Sequence, residues 1–344
     1  MLEDYSFKYI FRLLSKGIDE EEMYLQEFFD YFETIQKNKQ PYILEENSPG
    51  KSGGNFEENP FISKTIKQSL RSFTNHYSYS IKYSGFTINL SIHCMNENIE
   101  LLLKHVLGVV SFMVSMNKNK NKSFGLHLYL TDYKKTIEKG KYTPENINSG
   151  ATNREDIIVW RKEDILKVII HEIIHLMGFD NVHDTAPIIE HYNQKYDLAN
   201  KKLNVYEAYT EIWALLIHCY YLASVSLSQH ITLYQLFSAY VLIEKSWCNE
   251  LAGKLLTFFR SKEDVDQETN TLSYYIIKTE LLNDLKGLLK VCSSPTLTIV
   301  SKNNAQFLDY LKNCSKLVKK KTYQKKLSST MIISSLNLHY AMKK

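Results

Sequence analysis

The residues in this sequence with the clearest capacity for chemistry are His171, Glu172 and His175, within VIIHEIIHLMGFD at 168–180. Two histidines four residues apart on a helix project from the same face, so their imidazoles can hold one metal ion. Glu172 is rotated about 100° from that face, too far to be a ligand there but able to reach a water on the ion. The stretch predicts a metal centre with an adjacent general base; the alternative is a helix with two solvent-facing histidines.

The helix that must position these residues is predicted to begin near Lys162 and to stop at Gly178. Acidic residues at 163 and 164 would lie in its first turn, where they complement the helix dipole. Apolar side chains at helical spacing, from Ile165 to Met177, would bury it. Gly178 is expected in the left-handed conformation that commonly ends a helix.

A third metal ligand is expected from a second helix, because a catalytic zinc site takes three protein ligands and keeps one open position. The stretch NVYEAYTEIWALL at 204–216 places Glu207 and Glu211 on one face of an apolar helix. A buried carboxylate without a partner is costly, and a bound cation would account for both glutamates. Either of them could be the ligand.

These residues resemble the gluzincin branch of the zincin metallopeptidases, in which a glutamate from a second helix completes HExxH. YEAYTE at 206–211 is similar to the thermolysin-like pattern NEAxSD, which puts Glu207 at the ligand position. The same pattern makes Glu211 the acid that accepts a hydrogen bond from a ligand histidine. Tyr206 in place of Asn and the 31 residues between His175 and Glu207 depart from the pattern, so Glu211 stays the alternative ligand.

The metzincin pattern fits less well, because it would place the third ligand at Asn181, a poor metal ligand, with Asp180 and His183 offset from that position. A longer part of the chain, roughly 148–216, resembles uncharacterised metallopeptidase-like proteins of large nucleocytoplasmic DNA viruses. NSGAT, IIVWRKED, HEIIHLMGFD and EAYTEIWA carry this resemblance, and the AT-rich coding bias toward Ile, Asn, Lys and Tyr is compatible with it. The resemblance implies a viral protein.

The function expected from the motif and the resemblance is that of a zinc-dependent metallopeptidase with one Zn²⁺ per chain. His171, His175 and Glu207 would bind zinc, and Glu172 would activate a zinc-bound water for attack on a peptide bond. The substrate would be a peptide or protein that pairs with an edge strand, either 156–160 or 124–132. Candidates for a further donor to the oxyanion are His183, His191, Tyr206 and Tyr209.

Two other readings of the chain remain open. One is a non-catalytic structural or interaction protein with a zincin fold, for example a virion-associated one, although an intact Glu172 favours the enzyme. The other is a membrane-embedded protease, because residues 212–243 contain no Asp, Glu, Lys or Arg. His218, Gln229 and His230 split that run into stretches shorter than the ~20 residues of a spanning helix, which favours two buried helices.

The pattern of elements predicts an α+β, zincin-like fold: a small, mainly antiparallel sheet packed on the active-site helix, followed by a mostly helical part. Alternation on both sides of Ser84-Gly85 predicts a hairpin over 77–92. Further strands are predicted at 124–132 and 156–160. Helices are predicted over 97–116, 203–225, 230–259 and 272–291.

Composition shifts divide the chain into three predicted units. Residues 1–60 form an N-terminal helical appendage and flexible linker, 61–225 the zincin-like catalytic core, and 226–344 a helical C-terminal subdomain with a basic tail. The tail, KLVKKKTYQKK at 316–326, is predicted to be a solvated face; contact with nucleic acid, an anionic membrane or an acidic partner is the alternative.

Overall composition is that of an ordinary globular protein. Hydrophobic content of 44% and charged content of 23% are typical of globular proteins, and a net charge of +4 does not require a nucleic-acid partner. The first residues, MLEDYSFKYIF, carry no secretory signal, and five widely spaced cysteines favour reduced thiols. We therefore expect a cytoplasmic protein, in the host cytoplasm or the virion if viral; the sequence leaves its oligomeric state open.

Overall fold

A computed structural model of the chain describes residues 23–47, 56–117, 122–136, 141–153, 155–180, 186–197, 203–226, 231–258, 266–291 and 304–317. Within these residues a six-stranded sheet is combined with many helices, which confirms the α+β class. Predictions for residues 1–22, for 48–55 of the linker and for the basic tail from residue 318 lie outside the described residues.

The main sheet is mixed: three of its five strand pairings are antiparallel, and two are parallel. In sequence order the strands are β1 (Ile43–Asn47), β2 (Asn75–Tyr83), β3 (Phe86–Cys94), β4 (Ser123–Tyr129), β5 (Lys141–Tyr142), β6 (Gly150–Thr152), β7 (Asp156–Val159) and β8 (Asp266–Gln267). The order across the sheet is β1-β2-β3-β4-β7-β6, while β5 and β8 form a separate pair. β4 runs parallel to both β3 and β7. The helix between β3 and β4 returns the chain to the starting end of the sheet, which makes that pairing parallel.

The predicted hairpin is confirmed. β2 and β3 pair in antiparallel register from Asn75 opposite Cys94 to Tyr83 opposite Phe86. Ser84 and Gly85 form the turn with φ of 46° and 86°. Two positive φ values match the twist of the flanking strands, as in a type I′ hairpin.

The edge strand nearest the motif was predicted wrongly. β4 lies between β3 and β7, and β7 lies between β4 and β6, so both proposed strands are interior. The outermost strand on this side is β6, which has only three residues and pairs antiparallel with β7. Gly-Ala-Thr is too short and too weakly hydrophobic to show the alternation by which strands are recognised.

The helices predicted over 97–116, 203–225, 230–259 and 272–291 are present to within a few residues at their outer ends, whereas those at 64–70, 144–147 and 186–196 were not predicted. The helices are α1 (Met23–Lys37), α2 (Lys64–Leu70), α3 (Glu100–Ser115), α4 (Pro144–Ile147), α5 (Ile165–Met177), α6 (Ala186–Tyr196), α7 (Val205–Ser226), α8 (Leu233–Phe258), α9 (Lys278–Asn283), α10 (Leu285–Val291) and α11 (Asn304–Asn313). A π-helical turn, Ser273–Ile277, leads into α9. We call α5 the motif helix and α7 the glutamate helix.

The motif helix begins three residues later than predicted, so the acids at 163 and 164 are not in its first turn. Their carboxylates are occupied elsewhere: Glu163 Oε1 accepts a hydrogen bond of 2.9 Å from the backbone N–H of Lys135. The predicted stop is confirmed, because Gly178 has a φ of 67°. The N–H groups of Gly178 and Phe179 donate to the carbonyls of His175 and Ile174, as in a Schellman motif.

One hydrophobic core joins the inner face of the sheet to the helices. It extends from Leu25 in α1 to Cys314 after α11 and includes most of the motif and glutamate helices. In α1, the Phe28 ring lies 5.2 Å from the Trp213 ring of the glutamate helix, centroid to centroid. The predicted unit boundaries at 60 and 225 remain predictions, although hydrophobic contacts cross both of them.

No helix within the described residues is long and apolar enough to cross a membrane. The apolar run that raised this question lies largely in the glutamate helix and α8, both of which pack in the core. Within the same residues Cys94, Cys219, Cys248 and Cys314 are buried free thiols, while Cys292 lies outside them.

We predict that Gly178→Ala lowers the free energy of unfolding by about 1–2 kcal/mol, because a side chain disfavours the left-handed conformation. Gly178→Asn is the matched control, since asparagine tolerates this conformation better and should cost less. Chemical denaturation of the three proteins measures both effects. Equal stability of Gly178→Ala and the wild type would contradict the assignment of the helix stop.

Candidate metal centre and active site

The two histidines of the motif helix and one glutamate of the glutamate helix converge on a common point. His171 Nε2 lies 2.9 Å from His175 Nε2. Glu207 Oε2 lies 3.4 Å from the first nitrogen and 3.5 Å from the second. Among the described residues these three side chains form a group whose ligand atoms all lie within 4.8 Å of one another.

This arrangement fits a metal ion by its chemistry as well as by its geometry. Buried Glu207 Oε2 has no hydrogen-bond partner among the described residues, so its lone pairs are unsatisfied by the protein. A neutral imidazole whose Nδ1 donates a proton presents a bare lone pair at Nε2. Three electron-pair donors that face one another repel unless a cation lies between them. Two imidazoles and a carboxylate form a ligand set that zinc takes in catalytic sites.

Asp180 orients His175. Its Oδ2 accepts a hydrogen bond from His175 Nδ1, which leaves Nε2 to face the converging ligand atoms. Thr210 Oγ1 lies 3.1 Å from the same oxygen and donates to it. The left-handed turn at Gly178 reverses the chain directly after the motif helix and so brings Asp180 back toward His175. Such a carboxylate behind a ligand histidine fixes the ring and its tautomer.

Glu211 plays the corresponding part for His171. Its Oε1 lies 3.0 Å from His171 Nδ1, close enough for a hydrogen bond after a small ring rotation, although the present angle is not aligned. The same carboxylate is paired with Lys167 Nζ and, at 3.4 Å, with Lys278 Nζ. The expectation that one cation accounts for both glutamates is therefore wrong for Glu211, because two ammonium groups neutralise it. The geometry favours Glu207 as the ligand.

The charged groups around the two histidines shift one another's pKa values. Burial alone would raise the pKa of Glu207, but His175 and His171 hold that pKa below its ordinary value. Burial alone would lower the pKa of His175, but Glu207 and Asp180 hold it well above its ordinary value. Burial also opposes ionisation of Glu211, yet Lys167 and Lys278 keep its pKa well below the usual range. The surroundings of His175 and Glu207 thus favour a proton or a metal cation between them.

Glu172 lies next to this cluster and is fixed by the edge strand. Thr152 Oγ1 donates a hydrogen bond of 2.6 Å to Glu172 Oε2. Gly150 allows the strand to pass close to the motif helix, because a Cβ there would lie 2.6 Å from Val168 Cγ1 and 2.7 Å from Glu172 Oε1. The glutamate is thereby held against β6.

A recess opens beside Glu172 and His171. Its unfilled space, counted out to the solvent at the mouth, is about 500 Å³. The edge strand contributes Gly150, the motif helix contributes Val168, and the segment before α9 contributes Tyr274 and Tyr275. A small part of a substrate could occupy this space next to the candidate base.

Of the four predicted oxyanion donors, the three that lie within the described residues do not line this recess. Tyr206 stacks on Phe307 at 5.7 Å between centroids, and Tyr209 packs against Trp213. His191 lies beside Tyr192 in α6, and His183 lies outside the described residues. Tyr274 lies nearer the site: its ring is 6.1 Å from that of His171, centroid to centroid, and it lines the recess.

Sequence reasoning missed Thr152, Lys167, Lys278 and Tyr274, and noted Asp180 only as a position offset from another pattern. Two of these residues have a local signal: Lys167 is the sole cation within the apolar motif helix and lies four residues before His171, and Asp180 directly follows the helix stop. Thr152, Tyr274 and Lys278 have none, because only the packing of distant segments brings them to the site.

We predict that Glu207→Gln abolishes stoichiometric zinc binding, because it removes the negative charge of the carboxylate at the point where three donors converge. Glu211→Gln should retain the site but bind zinc about 10- to 100-fold more weakly, as expected for loss of a carboxylate behind a ligand histidine. Metal analysis and competition with a chelator measure both quantities.

Glu190→Gln is the matched control for this comparison, because Glu190 is exposed on α6 and bonds to Gln194. It should bind zinc like the wild type. Equal zinc content in Glu207→Gln and Glu190→Gln would contradict the assignment of Glu207 as a ligand.

Comparison with known proteins gives one informative similarity. The chain is 26% identical over 271 residues to "Uncharacterized protein R210" of Acanthamoeba polyphaga mimivirus. The matched region covers 68% of each chain. No protein-family model matches the chain, and no solved structure matches it. The similarity supports the predicted relationship to viral proteins.

Proposed function

We propose that this protein is a zinc-dependent metallopeptidase of gluzincin type, built on a zincin-like fold. The observation that carries the proposal is the convergence of His171 Nε2, His175 Nε2 and Glu207 Oε2, with Glu172 beside them at a recess. The order of elements supports it as well, because a sheet precedes the motif helix and the third ligand comes from a second helix.

His171, His175 and Glu207 would hold the ion. When bound there, zinc would supply a Lewis acid that lowers the pKa of a water and polarises the substrate carbonyl. The carboxylates of Asp180 and Glu211 would keep both imidazoles in the tautomer that leaves Nε2 free to coordinate.

Glu172 would act as the general base and then as the general acid. Its carboxylate would take a proton from the attacking water and deliver it to the leaving amine of the cleaved peptide bond. Thr152 would keep one carboxylate oxygen in place while the other holds the proton, because its hydroxyl donates to Oε2. Tyr274 is the recess residue best placed to donate a hydrogen bond to the developing oxyanion.

The substrate is proposed to be an extended segment of a peptide or protein. β6 is the outermost strand on this side of the sheet within the described residues, and it lies directly against Glu172. An added strand could hydrogen-bond to such an edge and present its own backbone carbonyl to the metal centre. The viral relative favours action in an infected cell or a virion.

We predict that Glu172→Gln lowers peptide cleavage about 10²- to 10⁴-fold while the zinc content stays at one per chain, because the base is lost and the ligands are kept. A broad library of quenched fluorescent peptides and metal analysis of the same preparations measure the two quantities. Glu190→Gln is the matched control and should cleave like the wild type.

Two results would count against this proposal. Absence of zinc in folded wild-type protein incubated with the metal would refute the metal centre itself. A protein that binds one zinc through these residues but cleaves no peptide would favour the non-catalytic interaction protein instead.

A further inference from the structure

The charges that line the recess are predominantly positive. Three lysines, Lys135, Lys167 and Lys278, line it, whereas its carboxylates are Glu211 and the candidate base Glu172. Lysine is rarely buried in proteins unless it is paired. Three lysines in one recess therefore require an explanation from the groups around them.

Glu211 accounts for two of these lysines. Lys167 contacts its Oε1, and Lys278 Nζ lies 3.4 Å from its Oε2. One carboxylate thus serves two ammonium groups and also lies against His171. These lysines have a structural reason to be present, which is to hold the Glu211 carboxylate beside His171.

Lys135 is compensated more weakly. Its Nζ lies 3.6 Å from Asp164 Oδ2, which is longer than a hydrogen bond, and its side chain is only 10% exposed. Burial lowers the pKa of Lys135 to about 8, and the nearby Lys167 adds to this shift, while the attraction of Asp164 and, more weakly, of Glu211 and Glu163 opposes it. The recess therefore holds an ammonium group that would be stabilised by a further anion.

The position of the recess indicates which part of a substrate would bring that anion. Under the proposed function, Glu172 delivers a proton to the leaving amine, so the residue that contributes this amine must lie next to Glu172. The recess adjoins Glu172 and opens to solvent, so a side chain or chain end of a bound peptide would enter it from the side of the candidate base.

We propose that this recess binds a carboxylate of the substrate on the leaving-amine side of the cleaved bond, with Lys135 as its main partner. The inference rests on the proposed peptidase function and names its substrate class, which is peptides that carry a carboxylate next to the leaving amine. The carboxylate can come from a Glu or Asp side chain or from the C-terminal end of the peptide. Lys135 would then determine specificity, because an uncharged substrate would leave it with the 3.6 Å ion pair to Asp164 and no direct hydrogen bond to a carboxylate.

Two pairs of peptides test the proposal on zinc-loaded protein. One pair has Glu or Gln on the leaving-amine side with amidated ends, and the other has a free or amidated C-terminus at that residue. The wild type should prefer the carboxylate member of at least one pair by about tenfold or more in kcat/KM, as expected for a hydrogen bond between charged groups. The pair that shows the preference identifies the source of the carboxylate.

Lys135→Met should reduce that preference to near one, whereas Lys135→Arg should retain most of it. Lys134→Met is the matched control, because the Lys134 side chain is 60% exposed and pairs with Glu163 outside the recess. It should keep the full preference. Equal cleavage of both members of both pairs by the wild type, or an unchanged preference in Lys135→Met, would overturn the proposal and leave the peptidase function intact.

A binding measurement separates this proposal from the peptidase function. N-acetylglycine and the amide of N-acetylglutamate are the carboxylate probes, and N-acetylglycinamide and the amide of N-acetylglutamine are their neutral partners. Titration followed by NMR should show binding of a carboxylate probe that Lys135→Met weakens about tenfold and Lys135→Arg preserves. If no peptide is cleaved, the binding titration alone tests the carboxylate site. Equal or absent binding of charged and neutral probes would overturn the proposal.

Discussion

Three electron-pair donors face one another inside this protein, and their mutual repulsion requires a positive charge between them. Much of the surrounding structure serves that requirement. Asp180 and Glu211 stand behind the two imidazoles, and each tends to place the imidazole proton on Nδ1, away from the point of convergence. With neutral histidines, Glu207 and Asp180 contribute two negative charges that no described lysine contacts, which matches the charge of a divalent cation.

The parts of this arrangement that follow from local sequence could be predicted. His171 and His175 share a helix face because the α-helix repeats every 3.6 residues, and Gly178 ends the helix because it accepts a positive φ. The hairpin around Ser84-Gly85 follows from alternation in the same way. Each of these features depends on residues that are close together in the sequence.

The choice between Glu207 and Glu211 could not be made in this way. Both lie on one face of the glutamate helix, and the resemblance to a known pattern favoured Glu207 without excluding the other. The crossing of the two helices favours Glu207, because it brings Glu207 to Nε2 of both histidines and Glu211 to Nδ1 of His171. The edge strand was missed for a related reason: three residues with little alternation gain their role only from the strand they pair with.

Glu211 also carries a consequence for the synthesis of the chain. Its partner Lys278 lies 67 residues downstream, beyond α8, whereas Lys167 has already been made before the glutamate helix appears. On the ribosome, therefore, the candidate ligands, the candidate base and the edge strand all emerge before Lys278 and before Tyr274 and Tyr275, which line the recess. Chain growth at about 5–20 residues per second leaves an interval of seconds in which the nascent protein has the candidate ligands but no finished recess. Completion of the candidate site is thereby tied to docking of the late helical segment, and a chain that ends early would leave Glu211 without its second ammonium group.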